Sequence, residues 1–433
     1  MRFPFSTGGS MKFRHTPLCA ALFLLASASN AATAAKSYTY SYLGTPDNAS
    51  VAATPVSCRQ GACSPSIALV GGGYDVGEAF RWMIARAGIS TGTGGRFVII
   101  RATGTDAYNP YIYSRLGQVD PTSPRGYEMV GGADLGLTSV ETLVIPNRAA
   151  AEDPFVLKVI GRASAIFIAG GDQADYYNYW QGTSLNNLIQ KAVTAGIPVG
   201  GTSAGTAMLG QYAFAALNGA VDSPAALSDP FNRLVTIDPL NTSSKKFVQN
   251  GSFLNIASLG NTITDTHFNT RDRLGRLFSF VARIGKACTG GVVNVGDVAG
   301  IGIDEETAVL VSGAPGSAKA EMAVNPYNAE NTTSLYTAQN SAYFVKYTAA
   351  PVQCVAGKPL VDNSGIQVYR LSGQKDKSSP YASAPQYSFK VSASFNTSNW
   401  ASQAVQTYPD GSSLNGPYYY GVSGGAVLGS AVR

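Results

Sequence analysis

Ile197-Pro198-Val199-Gly200-Gly201-Thr202-Ser203-Ala204-Gly205 is the stretch on which the fold turns. A short apolar run enters it, small residues crowd its centre, and residues 204–213 can continue as a helix. Strand, tight bend and helix in that order expose a serine hydroxyl, and the small residue on each side lets the backbone close up. An ordinary glycine-rich turn between a strand and a helix has the same composition. The serine therefore needs a chemical partner before it means anything.

Working upstream, the same alternation repeats. Residues 66–70 form an apolar run stopped by Gly71-Gly72-Gly73, and residues 76–87 have helical spacing, with Phe80, Ile84 and Ala87 on one side. Strands are predicted at 97–100, 140–145 and 165–168, the last ending in Gly170-Gly171-Asp172-Gln173. A helix is predicted to start near Glu152-Asp153-Pro154, where acids and an early proline suit a first turn, and another over 185–194. Short apolar runs alternating with helices predict an α/β fold, a mostly parallel sheet flanked by helices. Downstream, residues 213–253 are rich in Asp, Asn, Pro and Ser and read as a long surface insertion. Residues 261–264 run into a loop at His267, residues 298–310 contain a strand, and the segments 343–347 and 367–371 read as short strands. The expected division is a leader over 1–34, an irregular segment over 35–64, an α/β catalytic domain over 65–312 and a β-rich C-terminal extension over 313–433.

The leader expectation rests on order. Lys12 and Arg14 precede an apolar run, and small residues end at Ala32-Thr33-Ala34, as in a secretory signal peptide; Met11 is an alternative start. Export, to the outside or the periplasm, is the localisation expected. Losing Arg2, Lys12 and Arg14 lowers the formal charge of +5 by three, to about +2, which is too weak to imply a nucleic-acid partner. No later stretch is long and apolar enough for a membrane span. Four of the five cysteines remain after the leader: Cys58, Cys63, Cys288 and Cys354. Cys58 with Cys63 and Cys288 with Cys354 is the pairing expected, although three pairings are open. Their spacings fit no zinc site, so neither a metal nor a cofactor is expected.

Histidine arithmetic supplies the partner. The chain has two histidines, and His15 leaves with the leader, so His267 alone can serve as a general base for Ser203. It sits in Thr264-Asp265-Thr266-His267-Phe268, followed by Arg271, Arg273 and Arg276. A third, orienting carboxylate could come from Asp222, Asp265, Asp304, Glu305 or Glu306, and spacing does not choose among them. The arginines either hold substrate carboxylates by bidentate pairs or form a basic surface turn. If they line the cleft, Asp172 or Asp265 would meet basic groups of the same substrate.

Five motifs in order carry a wider resemblance: Val70-Gly71-Gly72-Gly73, Phe167-Ile168-Ala169-Gly170-Gly171-Asp172-Gln173, Gly201-Thr202-Ser203-Ala204-Gly205, Asp265-Thr266-His267-Phe268 with Arg271, Arg273, Gly275, Arg276 and Leu277, and Gly302-Ile303-Asp304-Glu305. From about residue 66 to 310 the chain resembles the cyanophycinases, serine peptidases of the S51 superfamily. That resemblance implies a class I glutamine amidotransferase-like fold, with Ser203 as nucleophile, His267 as base and Glu305 as third member. It also implies substrate contacts at Gln173, Asp265, Thr266 (where the family often has Gln), Arg271, Arg273 and Arg276. The oxyanion or glycine-loop positions would be Gly72, Gly73, Gly171 and Ala204. The implied substrate is cyanophycin, a poly-aspartate bearing arginine on each side-chain carboxyl, and the implied products are β-Asp-Arg dipeptides. A related Asp-Arg polymer is the other partner expected, and a homodimer is left open.

The chain departs from that pattern in an expanded interval between Ser203 and His267 and in more than a hundred residues after Glu305. Rival readings are an α-aspartyl dipeptidase or other serine hydrolase of acidic peptides, and a non-catalytic polymer-binding homologue. An α/β-hydrolase esterase would put its histidine last, after the acid, and a glutaminase would need cysteine at position 203.

Overall fold

Ile67 and Leu69 pack on one side of a strand while Ala68 and Val70 pack on the other, so this short run is buried on both faces. Such a strand belongs inside a sheet covered by two helical layers. The computed structural model describes residues 37–46, 65–121, 128–240, 252–313, 318–324, 341–372 and 415–432. The leader and the Cys58/Cys63 pair lie outside them.

Eight strands form the larger sheet: β1 (Thr39–Gly44), β2 (Ser66–Val70), β3 (Arg96–Arg101), β4 (Ser139–Val144), β5 (Ala165–Ile168), β6 (Val199–Thr202), β11 (Thr307–Ser312) and β12 (Lys319–Val324). Their order is β1-β4-β3-β5-β6-β2-β11-β12. The central pairs, from β4 through β2, are parallel. Both margins are antiparallel, so the sheet is mixed around a parallel centre. A two-stranded ribbon joins β7 (Ala213–Phe214) to β8 (Ile237–Asp238). The six-stranded sheet holds β9 (Thr262–Asp265), β10 (Ala299–Ile303), β13 (Ser341–Tyr347), β14 (Asp362–Ser372), β15 (Asn415–Ser423) and β16 (Ala426–Val432). Its order is β16-β15-β14-β13-β10-β9, with β9 and β10 parallel.

The helices are α1 (Gly77–Arg86), α2 (Tyr108–Ile112), α3 (Arg148–Ala151), α4 (Pro154–Ile160), α5 (Gln173–Trp180), α6 (Ser184–Thr194), α7 (Ala204–Ala207), α8 (Ser223–Ser228) and α9 (Leu274–Ile284). Their starts are chemically marked. Asp153 caps α4 by accepting the Phe155 N–H, with Pro154 at the first helical position, and Thr183 caps α6. Phe80 and Met83 of α1 cover one face of the larger sheet, and Trp180 and Ile189 of α5 and α6 cover the other. Among the described residues no helix is long and apolar enough to cross a membrane.

Two segments differ from their sequence reading. The supposedly irregular lead-in contains β1, whose Tyr40 donates from its hydroxyl to Glu141 at 2.8 Å. Alternating tyrosines let a half-exposed strand form at the sheet margin without an apolar run. The stretch expected to be a surface insertion places Phe214, Val221, Leu227 and Ile237 in the core beneath α9. Its polar residues serve as caps instead, as where Asp222 accepts the Ala225 N–H at the start of α8. The Cys288–Cys354 disulfide is present and joins the end of the α9 segment to the chain after β13.

Candidate active site

The carboxyl ends of β2, β5 and β6 deliver three loops to one edge of the larger sheet, the edge where open α/β sheets place their ligands. The turn after β6 holds Ser203 at φ 52° and ψ −119°, a backbone state costly for a residue with a side chain. Its neighbours explain how the turn survives. A Cβ on Gly205 would lie 2.0 Å from the Ile168 carbonyl oxygen, and one on Gly201 would lie 2.5 Å from the Gly205 carbonyl carbon. Thr206 then ties the turn to β2. Its hydroxyl accepts the Val70 N–H at 3.0 Å and lies within donating distance of the Val70 and Gly201 carbonyls. The Ser203 N–H donates to Val70 O at 3.1 Å.

His267 arrives from the other sheet. β9 runs beside β10 with Asp265 level with Gly302, so the chain leaving β9 and the chain leaving β10 emerge together. Thr264 links this pair to the serine turn by donating to Thr206 O at 2.8 Å. His267 has φ 45° and donates its backbone N–H to Gly71 O at 2.8 Å. Its ring presses on Gly72, where a Cβ would sit 2.4 Å from Cε1.

Three side chains converge. Ser203 Oγ is 2.6 Å from His267 Nε2, and His267 Nδ1 is 2.5 Å from Glu305 Oε1. A carboxylate facing Nδ1 keeps the ring proton there, leaving Nε2 to accept from the hydroxyl. The hydrogen bond from His267 holds the Glu305 carboxyl below its usual range against the opposing effect of burial, and the charges of His267 and Arg271 add to that. Gly73 lies against Glu305, with its missing Cβ 3.0 Å from the Glu305 Cβ. The structure therefore places Gly72 and Gly73 against the imidazole and the acid. Gly170 passes the serine itself, its missing Cβ 3.3 Å from Ser203 Cβ, with Gly171 next along. Ala204 is the first residue of α7, where a backbone N–H has no intrahelical acceptor.

The other acids raised by the sequence go elsewhere. Asp222 caps α8, and Asp304 and Glu306 flank Glu305 and are buried, Asp304 accepting from the Asn269 and Ser341 N–H groups. Asp265 and Arg276 meet each other. The Arg276 Nε donates to Oδ2 at 2.7 Å and a terminal nitrogen to Oδ1 at 2.6 Å, with both side chains buried. Arg276 also donates to Val221 O and lies beside the stacked Phe214 and Phe280 rings. That guanidinium is committed to the frame, and the expectation that it clamps substrate gives way to a pairing the sequence could not show.

Arg273 donates to Thr266 O at 2.8 Å and approaches Asp265 at 3.4 Å. Burial, opposed by Asp265 and helped by Arg276 and Arg271, brings its pKa down to about 10. Thr266 is buried, and its N–H donates to Asp265. Arg271 and Asp172 are exposed, and Asp172 caps α5 by accepting the Ala174 N–H. Gln173 opens α5 and reaches Phe214 O at 3.5 Å. Sequence reasoning passed over Thr206 and the structural use of Asp304. Only their places, three residues after the serine and one before the acid, hinted at either.

The family model of peptidase family S51 matches residues 114–229, a span that includes Ser203. A cyanophycinase of Synechococcus elongatus is 28% identical over 211 residues, covering 48% of this chain and 55% of that protein. A cyanophycinase of Trichormus variabilis is 27% identical over 197 residues, covering 44% and 55%. One from Geminocystis herdmanii is 26% identical over 216 residues, covering 48% and 64%. The chain thus spans a little over half the length of the curated relatives it matches. Over residues 114–229 the chain is thus similar to peptidase family S51, and over a little under half its length to the cyanophycinases.

Proposed function

We propose that this chain is an exported serine exopeptidase that hydrolyses cyanophycin to β-Asp-Arg dipeptides. The observation that carries the reading is the continuous contact from Ser203 Oγ through the His267 ring to Glu305. The cyanophycinase relatives support the substrate class, and the amidotransferase-like fold is part of the same reading.

Ser203 Oγ attacks the carbonyl carbon of an α-peptide bond between aspartyl units, and its proton passes to His267 Nε2. Glu305 stabilises the resulting imidazolium. The oxyanion is held by the N–H groups of Ala204 and Gly171, the amides beside the nucleophile and in the loop that passes it. The tetrahedral adduct collapses, the C–N bond breaks, and the departing amine takes the proton from His267. Water, deprotonated by the same imidazole, then cleaves the acyl-enzyme and restores Ser203. Exposed Arg271 and half-buried Arg273 supply positive charge for aspartyl carboxylates. Asp172, with Gln173 beside it, faces the substrate's arginines.

Insoluble cyanophycin incubated with the purified chain should release soluble dipeptide detectable by mass spectrometry, and Ser203→Ala should release none. Release at the same rate by that variant, or release of single amino acids in place of dipeptide, defeats the proposal.

A further inference from the structure

Asp304 does more than precede the third acid. Asp304 is 6% exposed, and its two carboxyl oxygens accept from two different segments. Oδ1 takes the N–H of Asn269, two residues past His267, at 3.0 Å, and Oδ2 takes the N–H of Ser341, the first residue of β13, at 3.0 Å. The Asp304 N–H returns to Ser341 O at 3.0 Å, closing a ring of contacts between the chain after β10 and the start of β13.

Four further contacts join the same parts. The Phe268 ring packs on Tyr343 of β13 with centroids 5.0 Å apart, and Phe268 donates its N–H to Ile303 O. Arg370 of β14 donates from Nε to Ser341 Oγ at 3.0 Å and lies over the Tyr343 ring. His267 meanwhile occupies φ 45°, a conformation that persists only where its surroundings over-determine it.

We infer that Asp304 is a positioning residue through which the C-terminal sheet holds the His267 loop in the geometry that activates Ser203. The side chain required is specific. Only a carboxylate offers an acceptor to each of two backbone amides; an asparagine of the same shape turns an N–H toward one of them. Because Asp304 also adjoins Glu305, a shift there moves base and acid together. The strands after β12 are then needed for chemistry as well as for folding. This inference rests on the serine hydrolase reading of Ser203, His267 and Glu305.

The test is the rate at which a small fluorophosphonate probe labels Ser203 in the full chain, a readout independent of polymer binding. Asp304→Asn should fold, judged by circular dichroism, and label about 10- to 100-fold more slowly than the unaltered chain, the scale expected when a reacting group is displaced by an ångström or less. On polymer, the same loss should fall on kcat, with KM unchanged. Arg370→Gln acts from β14, leaves Asp304 in place, and should slow labelling by a smaller factor without moving KM. If Asp304→Asn does not fold, the Arg370→Gln rate decides. Labelling of every folded variant at the unaltered rate overturns the inference and leaves the hydrolase reading standing. No labelling of the unaltered chain overturns both.

Discussion

Ser203 Oγ lies 2.6 Å from His267 Nε2 although the two residues are 64 positions apart and leave different sheets. The turn that carries the serine is strained, and the strain is informative. Ser203→Ala and Ser203→Gly should both lose activity by about 10⁴-fold or more. Glycine tolerates φ 52° and alanine does not, so Ser203→Gly should be the more stable of the two, by about 1 kcal/mol. Thermal unfolding of the pair checks this, and a more stable alanine variant would contradict it.

Gly72 has φ 103° and touches the imidazole, so a methyl group there has nowhere to go. Gly72→Ala should displace the His267 ring and depress kcat far more than it raises KM. Steady-state kinetics on soluble cyanophycin fragments distinguish this from a binding defect, in which KM alone would rise.

Two arginines five residues apart should behave in opposite ways. Removing Arg276 strands the buried Asp265 carboxylate, and Arg276→Ala should cost about 3–5 kcal/mol of folding stability. Arg271 is exposed, so Arg271→Ala should leave the unfolding midpoint unchanged and raise KM for the polymer. Equal destabilisation by the two changes would refute this division.

The pKa of Asp238 is pushed up to about 7 by burial, against hydrogen bonds from Tyr177, Gln181 and the Phe253 backbone that favour its charged form. A carboxyl whose pKa is raised in the folded state holds its proton more tightly there than when unfolded. Its contribution is therefore fully present below the unfolded value of about 3.8 and is lost as pH rises through about 7. The thermal midpoint should fall between about pH 4 and about pH 7, and Asp238→Asn should flatten that slope. A midpoint that climbs over the same interval would count against the burial of Asp238.

The parts most legible in the sequence were those where sterics leave few choices. Ser203 between glycines, and apolar runs such as residues 66–70, admit little besides a turn and a buried strand. With His15 in the expected leader, elimination pointed to His267 as the base, whereas Glu305 came from resemblance, since spacing left five carboxylates open. What escaped was pairing at a distance. Arg276 looks identical in sequence whether it meets a substrate carboxylate or Asp265, and only its packing beside Phe214 and Phe280 decides. β1 and the 213–240 segment were missed because tyrosine alternation and capping aspartates resemble loop composition until a sheet margin and a core are there to receive them.

Peptide mapping after fluorophosphonate treatment is the most direct probe of the chemistry, because it asks which oxygen is activated and by what. A single adduct on Ser203 is expected in the unaltered chain, with labelling abolished in a folded His267→Ala variant. An adduct on another residue, or undiminished labelling of Ser203 without the imidazole, would contradict the account.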